Sequence, residues 1–525
     1  MNKIMKIICL LLVFAMASVF LLSGCGSTAA KNETGASSNT TAAVSTAAGT
    51  TAAQETKPLD PVTLRWILPK IQAQNDPGPV FDAANKVFKE KLNATVKFDP
   101  FEWADFEKKI SLLIAAGEEA DIFFTASWIN NYYQNIAKDG LTDITTMLET
   151  VTPALKAKFS DGIWDALKVN GKIYAVPNQS VWVRRLGFQF RKDLVDKYSF
   201  DYPSVKKLED LEPYLKTIKG KEADSFAIEN VKSPNGSSLY ENAQNYFGWN
   251  TFVSMKTPGV GLDFDTNLKV VNQFETQTFK DFIKMAHGWY LNGYTPKDSG
   301  TLVDPSPYRQ SAKYAVVSEP AAYPGQDVVF SSSQAGGTQY VLNSTIDGDS
   351  VLSTASVASN LNSVCKTSSN PERALMALEL INTDKELYNT LCWGLEGTNY
   401  TKQADGTIEQ MKNGQYEGVY NFFLGDMLQT YVTKGQPLDM YDQIKKLNDS
   451  GKPSAFIGFN FISDPVKAQI AQCSAVTDQF LAGLCTGYLD PDKYYTQFMT
   501  KLKAAGADAI IAEMQKQVDE WAKTK

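Results

Sequence analysis

From residue 62 onward the apolar positions switch between two periods. Val62-Thr63-Leu64-Arg65-Trp66-Ile67-Leu68 has the short period of a strand, which Pro69 should end. Residues 80 to 92 place Phe81, Ala84, Val87, Phe88 and Leu92 on one helical face. Ala94 to Phe98 returns to strand alternation, with Val96 and Phe98 on one side. Asp105 to Ala116 is again helical, facing inward with Phe106, Ile110, Leu113 and Ile114, and Gly117 stops it. Asp121-Ile122-Phe123-Phe124-Thr125 is a short buried strand. This β-α-β-α-β order predicts a parallel sheet with right-handed crossovers. Ligands of such sheets bind beyond the carboxyl ends of the strands. Those ends lead into Gln72, Gln74, Asn75 and Asp76, and into Ser127, Trp128, Asn130, Asn131 and Tyr132, two loops rich in amides and aromatic rings.

The stretch 171–190 is the most informative. Ile173, Ala175 and Pro177 alternate with Tyr174 and Val176 as a strand, and Pro177 lacks the donor that further pairing needs. A second apolar strand runs from Leu186 to Phe190. Between them stand Asn178, Gln179, Ser180, Trp182, Arg184 and Arg185, a dense set of hydrogen-bonding and stacking groups. Taken alone, this is either an edge strand entering a solvated loop or a passage between two lobes with a ligand at the crossing. Farther on, residues 192–218 and 279–291 read as helical and Lys313 to Ser318 as a strand. A long helix follows from Pro371, and Ile510, Ile511, Met514, Val518 and Trp521 mark an amphipathic closing helix.

A chain of 525 residues is too long for one core and implies two or three domains. Its first residues differ in kind from the rest. Lys3 and Lys6 precede an apolar run from Ile7 to Leu22 that is short for a membrane span, so residues 1–24 read as a signal peptide. Leu22-Ser23-Gly24-Cys25 resembles a bacterial lipobox, which implies diacylation of Cys25 and a membrane anchor. Residues 25–58 then form a lipidated tether of Ala, Thr, Ser and Gly, with too little apolar surface to fold. Without Lys3 and Lys6 the chain keeps 49 basic against 58 acidic residues, a net charge of −9. No basic cluster offsets it, so nucleic acid is not an expected partner.

Four cysteines remain beyond the leader and anchor: Cys365, Cys392, Cys473 and Cys485. None has C-x-x-C spacing, and each reads either as a small core residue or as half of a bridge, Cys473 with Cys485 being the first pairing to test. His287 is the only histidine and has no evident partner, which removes most triads, zinc sites and acid/base pairs. Phosphate-cradling, dinucleotide and nucleophile-elbow motifs are absent. No catalytic residue, metal or cofactor is expected. A pair of acids could still hydrolyse a glycoside.

Several pieces in order then carry a resemblance. They are the lipobox and tether, Phe101-x-Trp103-x-Asp105 leading to Ile114-Ala115-Ala116-Gly117-Glu118-Glu119-Ala120-Asp121-Ile122, Gly171 to Pro177, Asn370-Pro371-Glu372-Arg373-Ala374, and Trp393-Gly394-Leu395-Glu396-Gly397. Together they resemble a family 1 extracellular solute-binding lipoprotein of an ABC importer. Gly458-Phe459, Pro465-Val466, Ala504-Ala505-Gly506 and Glu513-x-Gln515 are similar to the C-terminal domain of LipO-type members. The resemblance implies an α/β, two-lobed, periplasmic-binding-protein-like fold of type II with a ligand cleft between the lobes. It places three crossings near 177–190, 313–324 and 366–371. Lobe one would hold 60–178 and 320–366; lobe two would hold 179–319 and 367–525, with the LipO-type region from about 450. The implied solute is a carbohydrate, usually an oligosaccharide, delivered by a lipid-anchored monomer at the outer face of the membrane to permease subunits of the importer.

A sugar cleft needs flat aromatic faces, with amides, carboxylates and arginines for the hydroxyls. The candidates are Gln74, Trp128, Asn178, Trp182, Arg184, Glu319, Tyr323, Trp393, Glu396 and Tyr400. Trp103 is set aside because a helix start favours packing. Two alternatives stand beside the sugar: a peptide or other carboxylated solute held by Arg184 and Arg185, and a surface glycoside hydrolase.

Overall fold

The computed structural model describes residues 59–70, 77–302, 304–344, 346–348, 350–411, 416 and 421–525. The leader, the Cys25 anchor, the tether and Gln74 lie outside the described residues. Residues 59–525 form one unit built around two large apolar cores. Among the described residues no helix is long and apolar enough to cross a membrane.

The first core surrounds a five-stranded sheet. Strands β1 (Val62–Lys70), β2 (Ala94–Glu102) and β3 (Ile122–Thr125) run parallel, with β1 central. Trp66 and Ile67 point to opposite faces and are both fully buried, as a sheet covered by helices on both sides requires. Helices α1 (Gly78–Leu92) and α2 (Phe106–Ala116) connect them, and α1 buries Val80, Ala84 and Phe88. Gly117 ends α2 at φ 63°, a left-handed conformation that glycine adopts without strain. The fourth strand in space, Leu361–Val364, runs antiparallel to β3 and to β4 (Ala175–Pro177), so the sheet is mixed rather than wholly parallel. Pro69 does not end β1. β3 pairs only with Trp66 and Ile67, so beyond them one edge of β1 has no neighbouring strand and a missing donor there costs nothing. Pro177 does close β4, on the outer edge of the sheet.

The second core packs on a smaller antiparallel sheet. Its middle strand is β5 (Gly187–Arg191), between Val316–Glu319 and Tyr340–Asn343. Helices Gln277–Leu291, Lys467–Cys485, Pro491–Ala504 and Ala507–Ala522 bury Phe282, Leu484, Phe498 and Met514 in it.

Two expected lobe assignments are corrected. Tyr340–Asn343 pairs with β5, so the chain stays in lobe two past 324 and returns only at about 347–351, before Leu352 enters the first core. Helices Pro371–Thr383 and Lys385–Trp393 bury Leu375, Leu378 and Leu391 in the lobe-one core, so 366–371 is not a crossing. The third passage comes after Leu424 and ends at Phe456. The first passage occupies 178–186, between β4 and β5.

These passages meet at one joint. Asn448, near the end of helix Met440–Asp449, accepts from the backbone N–H groups of Trp182 (2.9 Å) and Val183 (3.2 Å). Its Nδ2 donates to the Ser180 carbonyl at 2.7 Å. Two residues of each remaining passage, Val351–Leu352 and Lys452–Pro453, pair in parallel.

The candidate bridge between Cys473 and Cys485 is also ruled out. Both lie on helix Lys467–Cys485, twelve positions apart, which at 1.5 Å per residue separates them by about 18 Å. A disulfide needs Cα atoms within about 7 Å. All four described cysteines are free and buried, and burial raises the thiol pKa of each, Cys473 to about 11. In a form beginning at residue 59, we expect none of the four thiols to react with an aromatic disulfide reagent until the protein is unfolded, and Tm to be unchanged by reductant. A Tm that falls on reduction would reveal a bridge.

Candidate functional site

The parallel strands of lobe one end at a ledge of aromatic rings. β2 passes directly into a 3-10 turn at Trp103–Asp105, and Trp128 follows β3 by three residues. Trp103 is 41% exposed and Trp128 is 50% exposed, unusual for so apolar a side chain. Their ring centroids lie 5.7 Å apart with planes inclined by 34°. Phe423 sits 6.1 Å from Trp103 and packs edge-on against Phe124 at 4.6 Å.

The ledge is held from behind. The Trp128 indole N–H donates to the Ser359 carbonyl at 2.7 Å, which fixes the ring plane. Its loop is tied down by Ser127 N–H to Ala358 (2.8 Å) and by Asn130, whose side chain donates to the Phe124 carbonyl (2.7 Å). Asn130 has φ 43°, a conformation that asparagine tolerates better than most residues. Below Phe423, Asn362 donates to the carbonyls of Phe423 (2.8 Å) and Leu424 (3.0 Å), and Asn178 donates to that of Phe422 (3.0 Å). A surface whose orientation is set in advance loses little freedom when a ligand docks.

Lobe two contributes polar groups near the same joint. Glu319 ends its strand opposite Gly187 and accepts from Gln326 at 2.9 Å. Burial pushes its carboxyl up to about 7, although Arg309 and the Gln326 amide pull the other way. Arg309 is itself committed to Glu229, forming a bidentate pair. Arg184 is half-buried in the first passage. Its carbonyl accepts from Asn245 (2.9 Å), and burial lowers the pKa of its guanidinium.

The other expected site residues fall into different settings. Asn178 is fully buried, with both ends of its amide engaged, and braces the ledge rather than facing a solute. Trp182 is 4% exposed and packs 5.8 Å from Phe159 in the lobe-one core, because the passage at 178–186 is irregular and Asn448 holds its backbone turned inward. Trp182→Ala would therefore open a cavity in the core, at a cost of about 3–5 kcal/mol. Tyr323 packs with Val181, Met440 and Tyr441 in a small cluster at the joint, and burial raises its phenol to about 12. Trp393 is half-buried against the lobe-one core. Glu396 is exposed and paired with Lys402 (2.9 Å), and Tyr400 is buried 6.0 Å from Tyr431.

Trp103, set aside in the sequence as a packing residue, is partly exposed beside Trp128 and, like it, stands immediately past the carboxyl end of a parallel strand. A cavity of about 960 Å³ also lies at the joint, lined by Phe159, Trp182, Leu352, Tyr441, Asn448 and Lys525. Its wall draws on all three passages, so its shape is bound to the angle between the lobes. Among the described residues no cluster of three His, Cys, Asp or Glu side chains could hold a metal ion.

Known proteins match this chain along most of its length. A family model described as bacterial extracellular solute-binding protein matches residues 83–355, and a domain of unknown function, DUF3502, matches 455–523. A carbohydrate ABC transporter substrate-binding protein of Streptococcus pneumoniae is 32% identical over 454 residues, covering 84% of this chain and 87% of the relative. The crystal structure of the N-glycan transport solute binding protein NgtS from Streptococcus pneumoniae superposes with a TM-score of 0.76 at 28% identity, covering 88% of this chain and 99% of the other. NgtS in complex with Man1GlcNAc superposes with a TM-score of 0.68 at 27% identity, covering 88% and 100%.

The half-buried Glu319 has a measurable consequence. Its pKa is raised above the unfolded value of about 4.3, so its contribution to stability is fully present below that pH and is lost as pH rises through about 7. Between pH 4.5 and 8 we expect the wild-type protein to lose on the order of 3 kcal/mol relative to Glu319→Gln. Urea unfolding of both proteins across this range checks it; parallel pH profiles would show that Glu319 ionises normally.

Proposed function

The chain belongs to the bacterial extracellular solute-binding proteins, and on that basis we propose that it captures an oligosaccharide in the cleft between its lobes and delivers it to an ABC importer. The carrying observation is the exposed Trp103–Trp128 ledge, oriented by the Ser359 carbonyl and standing where the parallel strands end. A pyranose ring presents a face of C–H groups that lies flat on an indole, while its edge of hydroxyls calls for amides and charged groups. Two indoles inclined at 34° suit a solute with more than one ring. The relative that is a carbohydrate ABC transporter substrate-binding protein, and NgtS with its bound glycan, support the same class of ligand.

The capture step needs no covalent chemistry. Ligand bridging lobe one and lobe two favours the closed arrangement, because only that arrangement offers both sets of contacts at once. A permease can then distinguish loaded from empty protein by the angle between the lobes. In this reading the signal peptide of residues 1–24 is removed, Cys25 is acylated, and the mature protein stays at the outer face of the membrane. It works as a monomer, without metal or cofactor, and does not hydrolyse its solute.

Isothermal titration against neutral oligosaccharides tests capture. Trp128→Ala should weaken binding by about tenfold or more, the equivalent of at least about 1.4 kcal/mol, with Tm unchanged. Unchanged affinity would remove the ledge from the site. Binding confined to peptides, or release of new reducing ends, would overturn the sugar reading. The anchor is checked separately: Cys25→Ser should move the protein from the membrane fraction to the medium, and full retention on the membrane would contradict lipidation there.

A further inference from the structure

A line of buried polar side chains, Ser359, Asn360, Ser180 and Asn448, runs from the ledge to the joint. Groups this deeply buried are kept where their hydrogen bonds are made. The Ser359 hydroxyl donates to the Ser356 carbonyl at 2.7 Å, so toward Asn360 it can only accept. That decides which end of the Asn360 amide faces it. Asn360 Nδ2 donates to the Ser359 hydroxyl (3.1 Å) and to the Ser180 hydroxyl (3.2 Å). The Asn360 carbonyl accepts from the Asn178 N–H at 2.9 Å.

One residue thereby grips both the support of the ledge and the start of the first passage. On the ledge side, the Ser359 carbonyl takes the Trp128 indole N–H, while the carbonyls of Ala358 and Ala355 take the backbone N–H and the hydroxyl of Ser127. On the joint side, the Ser180 carbonyl accepts from Asn448, which also holds the N–H groups of Trp182 and Val183.

Resting on the reading of the ledge as the sugar surface, we infer that Asn360 is a positioning residue for capture, which makes the orientation of Trp128 and the angle between the lobes depend on each other. When the first passage turns, Ser180 either carries the Asn360 amide with it or leaves a buried donor without an acceptor, and the second course is the costlier. Ser359 moves with its neighbour, and the plane of the Trp128 ring follows the carbonyl that holds it. By linkage, a solute that settles the ring in one orientation biases the lobe angle to the same extent.

The test begins without solute. In protein labelled with 5-fluorotryptophan, the fluorine resonance lost in Trp128→Phe belongs to Trp128. Ser180→Ala deletes the joint end of the link and leaves the Trp128–Ser359 bond itself untouched. It should shift the Trp128 resonance and leave that of Trp249, in the lobe-two core, in place. In an Asn360→Leu background the same substitution should shift nothing further. Tm checks that this variant folds. Where it does not, Asn360→Asp takes its place and cuts the link at Ser359 alone, because the Ser359 proton is already given to Ser356. A Trp128 resonance indifferent to Ser180→Ala, or shifted equally in both backgrounds, would overturn the role of Asn360 and leave the sugar reading intact. Titration with mannotriose, maltotriose, chitotriose and a high-mannose glycan then reads the consequence: Asn360→Leu should weaken the tightest of them by about fivefold or more. Unchanged affinity would remove Asn360 from capture. Failure of every neutral oligosaccharide to bind wild-type protein would overturn the sugar reading, and a role in capture with it, whatever the fluorine spectra show.

Discussion

The amide of Asn448 ties the first and third passages between the lobes together. One side chain accepts from two consecutive backbone N–H groups, at Trp182 and Val183, and donates to the carbonyl of Ser180. An irregular segment crossing between two cores has no ladder to satisfy its polar groups, and burying them unpaired would cost about 1–3 kcal/mol each. Asn448 supplies that satisfaction from the third passage, while Val351–Leu352 and Lys452–Pro453 pair beside it. The lobes are therefore joined by a few short hydrogen bonds rather than by a continuous core. Such a joint can change angle while both cores stay packed.

The same joint explains how residues near one another in sequence serve different ends. Trp182 goes into the lobe-one core, Arg185 turns to Ser350, and the Arg184 guanidinium between them has no partner among the described residues. Asn178 and Asn362 hold the carbonyls of Phe422, Phe423 and Leu424, and Phe423 in turn closes the ledge against Phe124 and Trp103. The aromatic surface is thus tied to the same crossing that sets the lobe angle.

Much of lobe one was legible beforehand. Val62–Lys70 through Thr125 form the expected elements because each carries its own period, and α2 stops at Gly117 for a local reason. At 178–186, Pro177 ends an edge strand, but that this stretch is a passage between lobes came only from the family resemblance. Where local signals gave out, the reading erred. Nothing in Tyr340–Asn343 says that it returns to β5, and nothing in helices Pro371–Thr383 and Lys385–Trp393 says which core takes their apolar faces. An amphipathic helix specifies that one side is buried, not what buries it. Trp103 and Trp128 were judged by their neighbours in sequence, and only their exposure and mutual distance of 5.7 Å separate a ledge from a core.

The sequence by itself determined the class of protein: alternating strands and helices, an acidic balance, a single histidine, and motifs in the order of one family. Those properties are local or compositional, and no folding is needed to read them. Tertiary structure alone decided which aromatic rings remain exposed, which arginine lacks a partner, and which helices belong to which lobe. Burial and pairing are relations between residues far apart in the chain, such as Asn448 with Trp182 or Trp128 with Ser359. They come into being only when the cores close.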